Sequence, residues 1–331
     1  MSLRIIKAGV MDTIQDAGRY GFRHLGINPA GSMDQYAMRI ANILVGNKPG
    51  EPVIELHFPA SAIFFEQPAL IAITGGDFTP TVNAENIPLL QPVLINRFGI
   101  LQFEGMRSGS RAYVAIRGGL KISKWLNSYS THLRAIAGGF NGRILAKDDE
   151  IGISQLDESY IRAIEKKEFL VFPWKADNKN DQSASNEILI LPGNEWDLLT
   201  NESKDKFLGQ TYTITANSDR MGYRLDSKEL LSVLSNQDMI SSAVSFGTVQ
   251  LLPDGKLIVL MADHQATGGY PKLAHVISAH HSRLAQMKAG DRFNFSITDL
   301  QDAEDMFIAQ QQHLIQLENG CRYRLEQFLK S

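Results

Sequence analysis

Leu257-Ile258-Val259-Leu260-Met261-Ala262-Asp263-His264-Gln265-Ala266-Thr267-Gly268-Gly269-Tyr270-Pro271-Lys272 changes character halfway along. The run 257–260 is short, apolar and rich in branched residues, which predicts a buried strand. Beyond it, Asp263, His264, Gln265 and Thr267 bring acid, imidazole, amide and hydroxyl groups within five residues. Gly268-Gly269 permits positive φ or close approach to the backbone, and Pro271 stiffens the exit. Two readings stay open. The cluster is a binding site aimed by the strand before it, or a solvated turn whose side chains satisfy local backbone groups. The same phrase recurs: Leu70-Ile71-Ala72-Ile73 runs into Thr74-Gly75-Gly76-Asp77, and Tyr113-Val114-Ala115-Ile116 into Arg117-Gly118-Gly119. Strands punctuated by short glycine turns predict a mainly β chain, a barrel or sandwich, and not a βαβ sheet. No G-x-G-x-x-G opens a helix after a strand and no G-x-x-x-x-G-K-[ST] occurs, which argues against a Rossmann or P-loop nucleotide site.

Outward from that stretch, the N-terminal residues 3–10 predict a short strand. The segment 12–26 is dense in turn formers and carries Arg19, Arg23 and His24. Glycines there let the main chain bend around a bound group, and arginine suits carboxylate or phosphate. Scattered arginines facing water are the other reading. Ser32 with Gln35 predicts a capped helix whose stripe is Met33, Tyr36, Ala37, Ile40, Ala41 and Leu44, stopped at Gly46. Asn28-Pro29-Ala30-Gly31 joins the glycine-rich loop to the positive end of that helix, which favours anions. Strands are expected over 53–58, 100–103, 188–191 and 212–215, with another in 241–250. Ala146-Lys147-Asp148-Asp149-Glu150-Ile151-Gly152-Ile153 and Lys288-Ala289-Gly290-Asp291-Arg292-Phe293-Asn294-Phe295 echo each other as turn-plus-strand phrases, so two related β domains are expected. The predicted division is 1–155, a connecting segment 156–187 containing the exposed polar tract 175–185, and 188–331. A terminal helix begun by Thr298 and Gln301 would bury Ala303, Met306 and Phe307.

The totals bound the class. A chain of 331 residues favours two domains, and 44% hydrophobic with 21% charged residues reads as soluble and globular. A formal charge of −3 without a basic tract gives no support for nucleic-acid binding. The single cysteine, Cys321, excludes an internal disulfide framework and a multi-cysteine zinc site, and nothing near it marks a nucleophile. His280-His281 is a vicinal pair without metal-ligand spacing. No apolar stretch reaches the approximately 18 residues of a membrane span and no signal peptide opens the chain, so a cytoplasmic location is expected.

Several motifs together resemble one family. They are Gln15-Asp16-x-Gly18-Arg19-x-Gly21, His24-Leu25-Gly26, Gly31-x-Met33-Asp34, Ala41-Asn42-x-Leu44-Val45-Gly46-Asn47, Asp219-Arg220-Met221-Gly222-Tyr223-Arg224-Leu225 and Gly268-Gly269-Tyr270-Pro271. The chain resembles the biotin-dependent carboxyltransferase family, which includes the C subunit of 5-oxoprolinase and the second subunit of allophanate hydrolase. The resemblance implies two cyclophilin-like β-barrel domains, a small amide or urea-like substrate, and partner chains. In one branch, the A, B and C subunits of 5-oxoprolinase together open 5-oxoproline to glutamate using ATP, a hydrolase reaction on a cyclic amide. In another, a similar module moves a carboxyl group from carboxybiotin to urea. A third member is a regulatory binding protein that antagonises an inhibitor of a sporulation kinase. This sequence shows no biotin-carrier lysine motif and no ATP-grasp-like region, so ATP machinery is expected on another chain and biotin only in the second reading.

The chain departs from common family residues at His264 and Ala266, where relatives have arginine and threonine. It departs again in Asn127-Ser128-Tyr129-Ser130-Thr131-His132, where relatives read Gly-Ser-Arg-Ser-Thr-Tyr; a guanidinium is lost at Tyr129. A lactam carbonyl needs activation, so the site for the first reading requires cations and polar groups around the amide. Arg19 and Arg220 are the expected anion contacts. Asp263, His264 and Gln265 are expected to orient the amide or transfer a proton, and Gly268 and Gly269 to offer backbone donors. His24, Tyr223, Thr267 and Tyr270 complete the expected substrate-binding set.

Overall fold

The computed structural model describes residues 2–177, 186–234 and 239–330. Residues 178–185 of the expected polar connection lie outside the described residues. Two compact units form. The first comprises Met1–Arg19, Asp34–Lys179 and Gln311–Ser331, the second Tyr20–Met33 and Asn180–Gln310. Neither is one continuous stretch, unlike the contiguous blocks 1–155 and 188–331. The glycine-rich loop 20–33 counts with the second unit, and the end of the terminal helix with the first.

The first unit is built from two sheets. One runs in the order Leu120–Lys121, Glu150–Ile153, Ser2–Lys7, Ala62–Phe65, Ile100–Phe103, Pro80–Val82, Glu85–Asn86. The other runs Phe169–Val171, Pro92–Ile95, Ala69–Asp77, Ser108–Ile116, Val53–Leu56, Thr13–Gln15. Side chains alternate along a strand, and the strand Ala69–Asp77 shows what that does. Ile71 and Ile73 join Leu3, Ile5, Ile63 and Val114 in one core, while Leu70 and Ala72 face the other way, in a core with helix Gln35–Leu44. Both faces are therefore apolar.

Local expectations need three corrections here. Thr74-Gly75-Gly76-Asp77 is no turn: Thr74 pairs with Tyr113, Gly75 with Ala112 and Asp77 with Ser108, across a shift of register. Gly75 has φ 80°, and a Cβ on Gly76 would come within 3.0 Å of the Ser108 carbonyl oxygen, so these glycines let the strand bend and continue. Helix Gln35–Leu44 is capped by Asp34, whose carboxylate accepts the Ala37 N–H at 2.9 Å, and not by Ser32. Met33 packs in the core of the second unit. The first part of the connecting segment is ordered structure: helix Glu158–Ile164 and strand Phe169–Val171, which pairs with Pro92–Ile95.

The second unit is a closed barrel. Its strands follow the order Glu187–Pro192, Lys272–Val276, Thr248–Leu251, Leu257–Leu260, Gly222–Asp226, Tyr212–Ile214, Arg292–Ile297. A parallel pairing of the first and last closes the ring, which removes sheet edges. Tyr212, Tyr223, Leu225, Val249, Leu257, Val259, Phe293 and Phe295 fill its core. A two-stranded ribbon, Ser242–Ala243 with Thr267–Gly268, lies apart from the ring.

The terminal helix spans Leu300–Lys330. Its start is held by Asp299, whose carboxylate accepts the Asp302 N–H at 2.8 Å, whereas Thr298 gives its N–H to Ile190. Ala303 is buried as expected, but Met306 and Phe307 are 39% and 42% exposed. The helix's buried stripe lies further on, at Leu314, Cys321 and Leu325. Among the described residues no helix is long and apolar enough to cross a membrane.

The internal echo is a repeated piece of backbone. Asp149 gives its N–H to Ala146 and accepts the Ala146 N–H on its side chain at 2.7 Å; Asp291 treats Lys288 in the same way at 2.9 Å. Each turn is then tied to a strand by two backbone bonds. Ile5 N–H meets the Asp149 carbonyl and Asp148 N–H meets the Ile5 carbonyl, while Ile214 stands in the same relation to Asp291 and Gly290.

Candidate functional site

The strand Leu257–Leu260 is antiparallel to Gly222–Asp226, with Gly222 opposite Leu260. The ladder continues past both ends. Met261 N–H reaches the Met221 carbonyl at 3.0 Å and Asp263 N–H the Arg220 carbonyl at 2.7 Å. Register alone would face Arg220 with Ala262; a shift of one residue in the last of these bonds brings Asp263 beside Arg220. The side chains close a fork: Arg220 Nε lies 2.9 Å from Asp263 Oδ2 and Nη2 lies 3.2 Å from Oδ1. Arg220 is 5% exposed, so both charges are largely removed from water and depend on each other. Its Nη2 also donates to the Gly31 carbonyl at 2.6 Å. This geometry recasts Arg220. Its guanidinium is committed to Asp263 and Gly31, and it serves first to fix the carboxylate.

The loop 20–33 is the other wall. Asn28 Nδ2 donates to the Asp263 carbonyl at 2.9 Å, and Arg23 Nη2 donates to the Val244 carbonyl. Ala30 and Gly31 have φ of 50° and 102°, so the chain doubles back where it meets Arg220. Asn28 and Ser32 are 5% and 1% exposed, yet Asn28 Oδ1 and Ser32 Oγ have no hydrogen-bond partner among the described residues. Neither was among the expected site residues. In the sequence, Asn28-Pro29-Ala30-Gly31 suggests a helix-end anion site. Asp34 occupies that end with its own carboxylate, which repels an anion.

His264 is 3% exposed and its Nδ1 lies 2.6 Å from the Gln265 carbonyl oxygen. A carbonyl only accepts, so Nδ1 carries the proton and Nε2 the lone pair. Burial holds the imidazole pKa below its ordinary value, opposed by the Gln265 bond, aided by the Arg23 charge and opposed again by Asp263. A neutral imidazole next to a fixed carboxylate can take and return a proton.

The other expected residues divide. Gln265 and Gly269 are exposed, and Tyr270 is 43% exposed. Thr267 is exposed and pairs with Ala243 in the ribbon. Gly268 does not have the positive φ its glycine run permits; a Cβ there would lie 2.5 Å from Gln250 Nε2, the end of a side chain. Tyr223, an expected substrate contact, is 2% exposed inside the barrel core, and its hydroxyl donates to the Met287 carbonyl at 3.1 Å. His24 is exposed on the single turn Arg23–Leu25, while its neighbour Arg23 makes the contact.

Arg19 lies in the first unit. It is 1% exposed, donates to the Ser130 carbonyl and stacks with its guanidinium carbon 4.6 Å from the Trp125 ring centre. The loop that holds it is organised by Asp16, whose carboxylate accepts Ser128 Oγ–H at 2.7 Å, Tyr129 N–H at 2.6 Å, Gly18 N–H at 2.7 Å and the Ser130 hydroxyl. The departure at Tyr129 is filled by a ring lying 4.9 Å from Lys124 Nζ. Cys321 is buried, and burial pushes its thiol up to about 11, so it is no thiolate at neutral pH.

Known proteins share this arrangement of sequence and fold. Residues 25–297 match the family model described as "Carboxyltransferase domain, subdomain A and B". The chain is 34% identical to the C subunit of 5-oxoprolinase from Haemophilus influenzae over 88% of its length and 89% of that protein. It is 32% identical to the C subunit of the Escherichia coli 5-oxoprolinase, covering 95% of this chain and 97% of the other. Among solved structures, urea amidolyase of K. lactis superimposes with a TM-score of 0.86 at 25% identity, covering 96% of this chain. There the chain spans 20% of a much longer polypeptide. On matches that take in most of its length, the chain belongs to the carboxyltransferase domain family, subdomains A and B.

Proposed function

We propose that this chain is the C subunit of an ATP-dependent 5-oxoprolinase, acting with the A and B subunits as partners to open the ring of 5-oxo-L-proline to L-glutamate. The observation that carries this reading is near end-to-end similarity to two proteins named as that component. The geometry of the second unit suits the chemistry. Opening a lactam requires the carbonyl to be made electrophilic, water to be activated, and the departing nitrogen to gain a proton. His264 Nε2, its lone pair directed by the Nδ1–H bond to Gln265, is the group to take a proton from water. Asp263, held rigid by the two-pronged contact with Arg220, orients donors around the amide and stabilises positive charge as His264 is protonated.

ATP would supply the phosphoryl group that activates the carbonyl oxygen. The described residues do not favour a triphosphate at the most obvious anion site, because Asp34 fills the start of helix Gln35–Leu44. We therefore assign ATP to a partner chain. In a reconstituted complex of all three subunits, Asp263→Ala and Arg220→Ala are each expected to abolish ATP-dependent glutamate formation. Full activity in both variants would defeat the assignment.

A second reading has its own support in the similarity to urea amidolyase, namely a carboxyltransferase that receives a carboxyl group from carboxybiotin. The same polar loop would then hold an amine or amide near the transferred group. Transfer of labelled carboxylate from biotin would favour it, and indifference of the complex to avidin would count against it. A purely regulatory binding protein would bind no 5-oxoproline in any assembly.

A further inference from the structure

We infer that Ser245 is an acyl-accepting nucleophile, activated by His275 through the hydroxyl of Thr248, and that it takes small acyl groups from activated esters. This activity stands apart from the lactam reading. Thr248 opens the strand Thr248–Leu251 directly opposite His275 on Lys272–Val276. Its Oγ1 lies 3.2 Å from His275 Nδ1 and 3.2 Å from Ser245 Oγ, and it accepts the Ser245 N–H at 3.1 Å. A hydroxyl offers one donor and two acceptor positions. When Thr248 gives its proton to His275, both its lone pairs serve Ser245, one for the N–H and one for the O–H. Every capacity of Thr248 is then used, and the chain runs one way, from Ser245 to an imidazole lone pair.

Exposure suits the same order. Ser245 is exposed, Thr248 is fully buried and His275 is half-buried, so the relay joins a hydroxyl that solutes reach to a base set behind it. Burial holds the His275 imidazole below its ordinary pKa, opposed by Glu195 and aided by Lys272, which keeps it a neutral base at pH 7. The segment 244–247 that carries Ser245 is bonded at both ends to the stretch bearing Asp263 and His264. Val244 N–H meets the Ala266 carbonyl at 3.4 Å, and Gly247 N–H the Leu260 carbonyl at 2.8 Å. Arg23 donates to the Val244 carbonyl, which brings a positive charge to the residue before Ser245, the sign that a developing oxyanion requires.

In the reaction, Ser245 Oγ forms a bond to the carbonyl carbon of the ester. Its proton passes to Thr248 Oγ1 while the proton of Thr248 passes to His275 Nδ1. The bond from that carbon to the leaving oxygen breaks, the oxygen keeps the electron pair, and His275 releases its proton to water. Water then cleaves the acyl-serine: its oxygen leaves in the carboxylic acid and one hydrogen restores the Ser245 hydroxyl.

The test treats the full chain with p-nitrophenyl acetate, following p-nitrophenol release and locating the acetyl group by peptide mass spectrometry. Acetylation of Ser245 is expected in the wild type, with none at that position in Ser245→Ala. Thr248→Val is expected to slow it by about a hundredfold, and Thr248→Ser, which keeps the hydroxyl, to restore it. Acetyl found only on other side chains, or Ser245 acetylated as fast in Thr248→Val as in the wild type, would overturn the inference. If Thr248→Val fails to fold, His275→Gln replaces it, with the same loss expected and an unchanged rate counting against the relay. Neither result bears on 5-oxoproline, so the functional reading is tested separately.

Discussion

Arg220 and Asp263 show how a charge pair behaves once it leaves water. Breaking a buried pair leaves one charge uncompensated, which costs about 3–5 kcal/mol, whereas replacing both partners costs much less. Arg220→Met and Asp263→Leu are each expected to lower unfolding free energy by an amount in that range, and the double variant by less than the sum, as read by urea denaturation. His280 and His281 give a pH dependence whose sign follows from their burial. His280 Nδ1 accepts the Leu189 N–H at 3.0 Å, so protonating that nitrogen breaks the bond. Burial holds both imidazoles down to about 4, with Arg283 adding to the effect at His280 and Glu187 opposing it. Between the ordinary value near 6.5 and about 4 the unfolded chain binds protons that the folded chain refuses. Their contribution is present above pH 6.5 and is lost as pH falls toward 4. Asp12 works the other way: burial raises its carboxyl to about 6, so the folded state takes that proton first and regains part of the loss. Replacing both histidines by glutamine is expected to flatten the acid limb of stability measured against pH.

At the scale of single elements, the two aspartate turns make a matched pair with unequal stakes. Asp291 holds one backbone N–H, while Asp149 also takes both prongs of Arg143 at 2.7 Å. Asp291→Ala is expected to cost about 1 kcal/mol and Asp149→Ala more, by equilibrium unfolding. The loop around Arg19 is tighter still. Gly138 has φ 70°, and a Cβ there would lie 2.2 Å from the Ser130 carbonyl oxygen that receives the Arg19 guanidinium. Gly138→Ala is expected to destabilise by about 1–3 kcal/mol or more and to perturb Trp125 fluorescence, since Arg19 stacks on that ring. Periodicity found such elements well where one face or both were apolar, as in 257–260 and 100–103. It failed at Thr74–Asp77, because a glycine pair that bends a strand has the same composition as one that ends it.

Over the whole molecule, the first unit depends on residues from the far end of the chain. Leu314, Cys321 and Leu325 are buried against the cluster that includes Tyr36, Ile40, Tyr113 and Tyr160, and the Phe328 ring centre lies 4.8 Å from Phe172 and 5.1 Å from Tyr160. Leu325→Ala is expected to cost about 2–5 kcal/mol through the cavity it leaves. Ending the chain at Gln310 would strip that face entirely, and calorimetry is expected to show the unfolding transition of the first unit lowered far more than that of the barrel. A truncated chain with two unaltered transitions would refute the role given to the helix.

The sequence by itself determined the class of fold and the address of the candidate site. Short apolar runs, glycine punctuation and the repeated aspartate turn are local properties, and local chemistry is written in local order. The loop after Leu257–Leu260 was legible for the same reason: four kinds of polar group crowd the end of a buried strand. What only the tertiary structure decided was which groups are already committed. Arg220 and Tyr223 carry suitable atoms, but a carboxylate 43 residues away and the Met287 carbonyl claim them. In the sequence Asn28 belongs to an expected helix-end anion site and Ser32 to an expected cap, whereas folding leaves their oxygens buried without a protein partner among the described residues. Hydrogen-bonding capacity belongs to the residue, but whether it is spent depends on neighbours brought in from elsewhere along the chain.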